Sequence, residues 1–327
     1  MSGALSSIPQ RLGPYAILHR LGAGGMAEVY LARRYGASGW AKRVALKVLR
    51  PEQRGRAELE RLLISEARLG ARFAHPGLVA VHDLGLAEGI YYVVMDYVDG
   101  RDLSALLAGG PLPIAFALLV AEQIATALAH VHALADEADR PLGLIHRDVS
   151  PTNVLVSRTG EVKLSDFGIA KATAERDQTW GRLRMGKYAY MAPEQIAGEP
   201  LGPSCDLFAL TVTLHECLLG RRPFEGANPG ELMDAIRRAE LGEDHDFGGL
   251  EPELIAFLRR GLDRHPERRS AEGAAGYART LSQLRRGYEP VGSFDLAAWV
   301  RERLDEEPSD DALAEARPVF ETLGMDD

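Results

Sequence analysis

The chain is expected to adopt an α+β fold of two lobes, a small β-rich N-lobe with one main helix and a larger, mostly α-helical C-lobe. Three observations point there. Runs of β-branched and aromatic residues fill the stretch from Tyr15 to Tyr97, helical apolar periodicity takes over beyond it, and 327 residues exceed what one hydrophobic core usually holds. Hydrophobic residues make 46% of the chain and charged residues 26%, the balance of a packed globular protein rather than a disordered or fibrous one.

Residues 1–14 read as an N-terminal tail, without the charged start and apolar run of a secretory signal. The N-lobe covers about 15–96. Val29 to Leu31, Val44 to Leu49 and Tyr91 to Tyr97 read as strands, and Leu59, Leu62, Leu63, Ala67 and Leu69 recur at helical spacing from Ala57 to Phe73. The C-lobe covers about 99–284, with Ile114 to Ala135 and Cys205 to Leu219 as its strongest apolar helices. Glu122, Gln123, His130 and His132 interrupt the first of these, which suits an amphipathic helix better than a membrane span. Residues 285–327 read as an acidic, helical C-terminal tail with helices at Ser293 to Leu304 and Ser309 to Leu323.

A net charge of −9 argues against a general nucleic-acid binder, leaving only local basic clusters such as Arg33 with Arg34 and Arg182 with Arg184 as anion sites. Cys205 and Cys217 are the only cysteines, and both sit in apolar helical context. They read as buried thiols in a reducing, cytoplasmic setting.

Polar and special residues concentrate between 141 and 202, where chemistry is expected. Upstream, Gly22-Ala23-Gly24-Gly25-Met26-Ala27 is a glycine-rich turn that continues into the strand Glu28-Val29-Tyr30-Leu31 and then reaches Val44-Ala45-Leu46-Lys47. A dinucleotide-binding turn would open a helix instead. Glycines let backbone N–H groups approach phosphates, and a lysine on the next strand supplies a point charge for them. Downstream come His146-Arg147-Asp148-Val149-Ser150-Pro151-Thr152-Asn153, then Asp166-Phe167-Gly168, then Ala192-Pro193-Glu194.

This set, in this order and spacing, resembles the eukaryotic-like Ser/Thr protein kinases of bacteria over roughly Tyr15 to Leu284. The resemblance implies ATP as phosphoryl donor, Mg²⁺ (or Mn²⁺) as cofactor and protein hydroxyls as acceptors. It makes Asp148 the residue that orients the acceptor hydroxyl, Asn153 and Asp166 the metal ligands, and Lys47, paired with Glu66, the nucleotide-positioning cation. Leu21, Gly22, Ala23, Gly24 and Gly25 would cover the phosphates. Val29, Ala45 and Leu155 would sandwich adenine, Met95 would be the gatekeeper and Asp96 to Val98 the hinge. Asp102 matches a ribose contact, with helix capping as its equal alternative. Asp206 would brace the catalytic loop, and Arg269 would pair with Glu194.

Three departures stand out. Ser150 occupies the place of a usual lysine, and Lys187 that of a usual threonine, so Lys187 is expected to supply the missing charge as a fourth catalytic residue. Gly70, one turn after Glu66, is expected to leave the apolar stack toward Phe167 and His146 underfilled and the helix mobile. Thr173 and Thr179 are the loop threonines open to autophosphorylation, with Thr179 preferred. A pseudokinase scaffold and a tyrosine kinase remain alternatives to an active Ser/Thr enzyme, and a protein partner could dock on the tail or the N-lobe.

Overall fold

The computed structural model describes residues 8–167, 188–242 and 245–304. Its N-lobe is one antiparallel sheet of β1 (Arg11–Leu12), β2 (Tyr15–Ala23), β3 (Ala27–Tyr35), β4 (Ala41–Leu49), β5 (Val81–Ala87) and β6 (Ile90–Met95). Their order is β1-β2-β3-β4-β6-β5. Period-two alternation sorts the side chains. Tyr30, Ala32, Val44, Leu46, Val48, Tyr92 and Val94 pack on one face with Leu12 and Tyr15. Leu49 and Val93 meet Leu63 and Ala67 of α1 (Ala57–Gly70) on the other. The sheet therefore begins inside the stretch read as a tail, because Leu12 pairs with Tyr15 and is fully buried.

The helix ends at Gly70 rather than at Phe73. A Cβ on Gly70 would lie 2.5 Å from the Val81 side chain, so the glycine allows the last turn of α1 to seat against β5.

In the C-lobe a three-stranded sheet of β7 (Gly100–Asp102), β8 (Val154–Ser157) and β9 (Val162–Leu164) lies beside the helices. These are α2 (Leu103–Leu107), α3 (Ile114–His132), α4 (Pro193–Ala197), α5 (Ser204–Leu219), α6 (Pro229–Arg238), α7 (Pro252–Gly261), α8 (Pro266–Arg269), α9 (Gly273–Arg285) and α10 (Ser293–Leu304). By length and composition α3 could cross a membrane, yet Leu118, Ile124, Leu128 and Val131 lie at the centre of the lobe core. That core also takes in Leu296 and Val300 of α10, and Trp299 packs on Phe116 with ring centroids 5.7 Å apart. The packed lobe thus extends past the expected boundary at 284 to Leu304. The helix expected at Ser309 to Leu323 lies outside the described residues.

The lobes meet along β9. Val79 donates to the Leu164 carbonyl and Leu164 to that of Gly77, so the loop after α1 is held by C-lobe backbone.

Candidate active site

Between β2 and β3 the glycine turn is closed by one backbone bond, Gly24 N–H to the Ala27 carbonyl at 2.8 Å. Leu21, Gly22, Ala23, Gly24 and Gly25 are all exposed. Cβ atoms added at Gly22 or Gly25 would meet nothing within 4 Å, and neither residue has a positive φ. Neither backbone conformation nor packing within the chain requires these glycines, which is what a loop kept bare for a close-lying ligand looks like. Its flanks are pinned by Glu28, whose carboxylate accepts from the Tyr30 hydroxyl at 2.7 Å and from Arg20 at 3.1 Å. The Tyr30 hydrogen bond, above all, holds the Glu28 carboxyl below its ordinary range, while burial, then Glu28, pushes the Tyr30 phenol up to about 12.

Val29 and Lys47 are register partners, as are Ala45 and Met95, and all four fall on the face of the sheet turned toward the C-lobe. Lys47 is buried there, its Nζ 2.5 Å from Glu66 Oε1 and 2.7 Å from Asp166 Oδ1. Burial alone would lower its pKa, but the two carboxylates outweigh burial and keep the ammonium charged. Leu155 sits half-buried on β8 between Asp102 and Lys163.

Of the hinge residues, Asp96 donates its N–H to the Ala80 carbonyl at 2.9 Å. Its carboxylate bonds His82 at 2.7 Å and Lys163 at 3.5 Å, ties that prevail over burial and lower its pKa. Val98 is half-buried, and Asp102 caps α2 by accepting from Ala105 N–H at 2.9 Å.

The catalytic loop is organised around buried Asp206. Its carboxylate accepts from the backbone N–H groups of His146 and Arg147 and from His132 Nε2, each at 2.8 Å. His146 is fully buried, and its Nε2 lies 3.2 Å from the Ser165 carbonyl while Nδ1 accepts from Asp148 N–H at 3.3 Å. That pairing defines the neutral tautomer, and burial pushes the His146 pKa down to match. Asn153 donates Nδ2–H to the Asp148 carbonyl at 2.7 Å. Arg147 and Asp166 both adopt positive φ, 66° and 56°, the kind of strain that collects at working sites. Behind the loop, Arg269 grips Glu194 with two bonds of 2.6 and 2.7 Å in full burial.

A family model described as the protein kinase domain matches residues 15–278. The chain belongs to that family. Among its relatives, the tyrosine-protein kinase MasK of Myxococcus xanthus is 37% identical over 308 residues, 91% of this chain and 47% of that protein. The serine/threonine-protein kinase PknD of Mycobacterium tuberculosis is 34% identical over 82% of this chain and 39% of its own length. PrkC of Bacillus subtilis, also a serine/threonine-protein kinase, is 38% identical over 65% and 32%. The chain spans less than half of each of these three relatives. The crystal structure of the Mycobacterium tuberculosis PknI kinase domain matches with a TM-score of 0.58 at 28% identity, covering 86% of this chain and 99% of that one.

In this kinase fold the expected gap beside Gly70 does not occur. Phe73, three residues on, stacks on Phe167 with centroids 4.2 Å apart, and His146 packs on the same ring at 4.5 Å. Helical periodicity runs on to Phe73, whose aromatic character is the one sign in the sequence of its place in the stack. His82, His132 and Lys163 carry no sequence signal for these contacts, since their partners lie 14, 74 and 67 residues away. Ser150 is buried with its hydroxyl 3.0 Å from that of Thr152. Lys187, Thr173, Thr179, Arg182 and Arg184 lie outside the described residues.

Proposed function

We propose that this kinase domain transfers the γ-phosphoryl group of ATP to serine and threonine hydroxyls of protein substrates. The observation that carries the reading is Lys47 seated between Glu66 and Asp166, opposite a catalytic loop whose backbone is held by Asp206. Phosphoryl transfer needs little covalent help from the protein, so positioning and charge supply most of the catalysis.

Asp148 orients the acceptor hydroxyl and takes its proton as the new O–P bond forms and the bond to the leaving diphosphate breaks. Lys47 places the α- and β-phosphates under the bare glycine turn. Val29, Ala45, Met95 and Leu155 offer an apolar slot for adenine, with the Asp96 carbonyl and Val98 at its edge and Asp102 beside the ribose. The donor set suits a divalent cation: Asn153 spends its Nδ2 on Asp148 and keeps its oxygen, while Asp166 is 39% exposed and spends one carboxylate oxygen on Lys47. Asn153 and Asp166 would hold Mg²⁺ or Mn²⁺, which neutralises phosphate charge when bound. Lys187 belongs to the same proposal as a charge near the acceptor, and Thr179 as the autophosphorylated residue. A cytoplasmic setting completes it, supported by the buried free thiols of Cys205 and Cys217.

The relative named a tyrosine kinase favours tyrosine as the second reading. Labelled ATP, the purified chain and a mixed protein substrate separate the readings. Label is expected on phosphoserine and phosphothreonine after hydrolysis and lost by at least about 10³ in Asp148→Asn. Label on phosphotyrosine alone selects the second reading, and no transfer at all means a scaffold.

A further inference from the structure

The far end of the β3–β4 hairpin carries an arrangement that the phosphoryl-transfer site does not use. Register sets Arg33 opposite Arg43 on one face of the ladder and Arg34 opposite Lys42 on the other, so each face of the hairpin end carries a like-charged pair. Like charges facing each other across a ladder destabilise it. Arg33, Arg34 and Lys42 form no ion pair with a carboxylate among the described residues; Arg34 instead bonds the Tyr15 hydroxyl. Beyond these cations the tip displays Tyr35 and Trp40, each 52% exposed. The tip is also well built. Gly36 N–H bonds the Trp40 carbonyl at 2.7 Å and Trp40 N–H bonds that of Ala37 at 3.1 Å. The Trp40 ring lies so close over Gly36 that a Cβ there would be 2.7 Å from it. An aromatic pair at a hairpin end with cations on both faces, in a chain of net charge −9, is a surface prepared for an anionic partner that wraps it with apolar residues of its own.

We propose that the partner is the chain's own segment 305–327. Asp305, Glu306, Glu307, Asp310 and Asp311 open this segment, Arg317 is its only cation, and Val319, Phe320 and Leu323 give it apolar side chains for Tyr35 and Trp40. The hairpin adjoins the hinge. Arg43 lies over the hinge residue Tyr97 at 5.3 Å, at the root of the hairpin. α10 starts at the β8–β9 turn, where Ser293 lies over Gly160, and ends with Arg303 beside Gly109, just after α2. An extended segment of this length reaches up to about 70 Å. Docked there, 305–327 joins the C-lobe to the two strands that carry the glycine turn and Lys47.

Lys42 is the only lysine at the far end of the hairpin, and Lys47 further along β4 is buried, so zero-length carbodiimide coupling of the full chain reads the contact directly. The expected product, at low salt and low protein concentration, joins Lys42 to a carboxylate of 305–327 within one chain, as shown by mixing isotope-labelled and unlabelled protein. The yield is expected to fall at least about tenfold in the double variant Arg33→Glu, Arg34→Glu, and likewise in 1 M salt. The neutral pair Arg33→Gln, Arg34→Gln, checked for an unchanged melting temperature, should show a smaller loss. The proposal is overturned if Lys42 stays unmodified, couples only to residues 8–304, or couples only between copies. It is equally overturned if the full chain binds phosphatidylglycerol vesicles and loses that binding in Trp40→Ala, since the hairpin would then be a lipid contact.

Discussion

The glycine turn and the catalytic loop face each other across one cleft, yet they are held in opposite ways. Across the turn itself runs a single backbone bond, Gly24 to Ala27, a second ties Met26 at its base to Arg50, and residues 21–25 are exposed. The catalytic loop hangs on Asp206, His146, Asn153 and Ser165, nearly all of them buried and each bonded to backbone. The difference follows from their work. In the proposed function a lid must be free to close on a ligand, whereas a group that orients an acceptor must already be in place, because a misplacement of about 1 Å can cost on the order of 10² in rate. The N-lobe accordingly invests its buried polar contacts in Lys47 and Glu28, not in the turn.

That contrast can be broken from either side. Asp206→Ala strips the acceptor from two loop amides and from His132, so it is expected to destabilise the protein by about 3 to 5 kcal/mol and to lower kcat as well. Thermal unfolding and turnover of the variant check this; an unchanged melting temperature would mean that the loop is held by other contacts. Next in size, Lys187→Ala should lower kcat by about 10² without changing stability, if Lys187 stands in for the lysine absent at Ser150. An unchanged kcat would sink that exchange. On the lid, Gly25→Val is expected to leave stability within about 0.5 kcal/mol, because its side chain enters open space, while KM for ATP rises on the order of tenfold. A large loss of stability would show that the glycine serves the fold after all.

Legibility in the sequence followed the same divide. The lobes, α1, α3, α5 and the bounds of α10 were readable, since each rests on a period or a run of neighbouring residues. Short motifs in a given order carry Lys47, Asp148, Asn153 and Asp166, which the fold joins through the contacts of Lys47 with Asp166 and of Asn153 with the Asp148 carbonyl. Gly70 and Phe73 show where that reading stops. Counting one turn from Glu66 leads to Gly70 and an empty stack, but contact with Val81 ends the helix there and lets Phe73 reach Phe167.

The case of α10 is similar. Its apolar face was visible from Ser293 to Leu304, but not that the face would join Phe116 and the C-lobe core. The same holds for Leu12, a single apolar residue that becomes core only because β1 pairs with β2. Local pattern states that a side chain will be buried or charged, since period and motif order are properties of nearby residues. What it meets depends on segments that chain order leaves far apart, and these come together only when the sheet, α1 and the catalytic loop pack into one cleft.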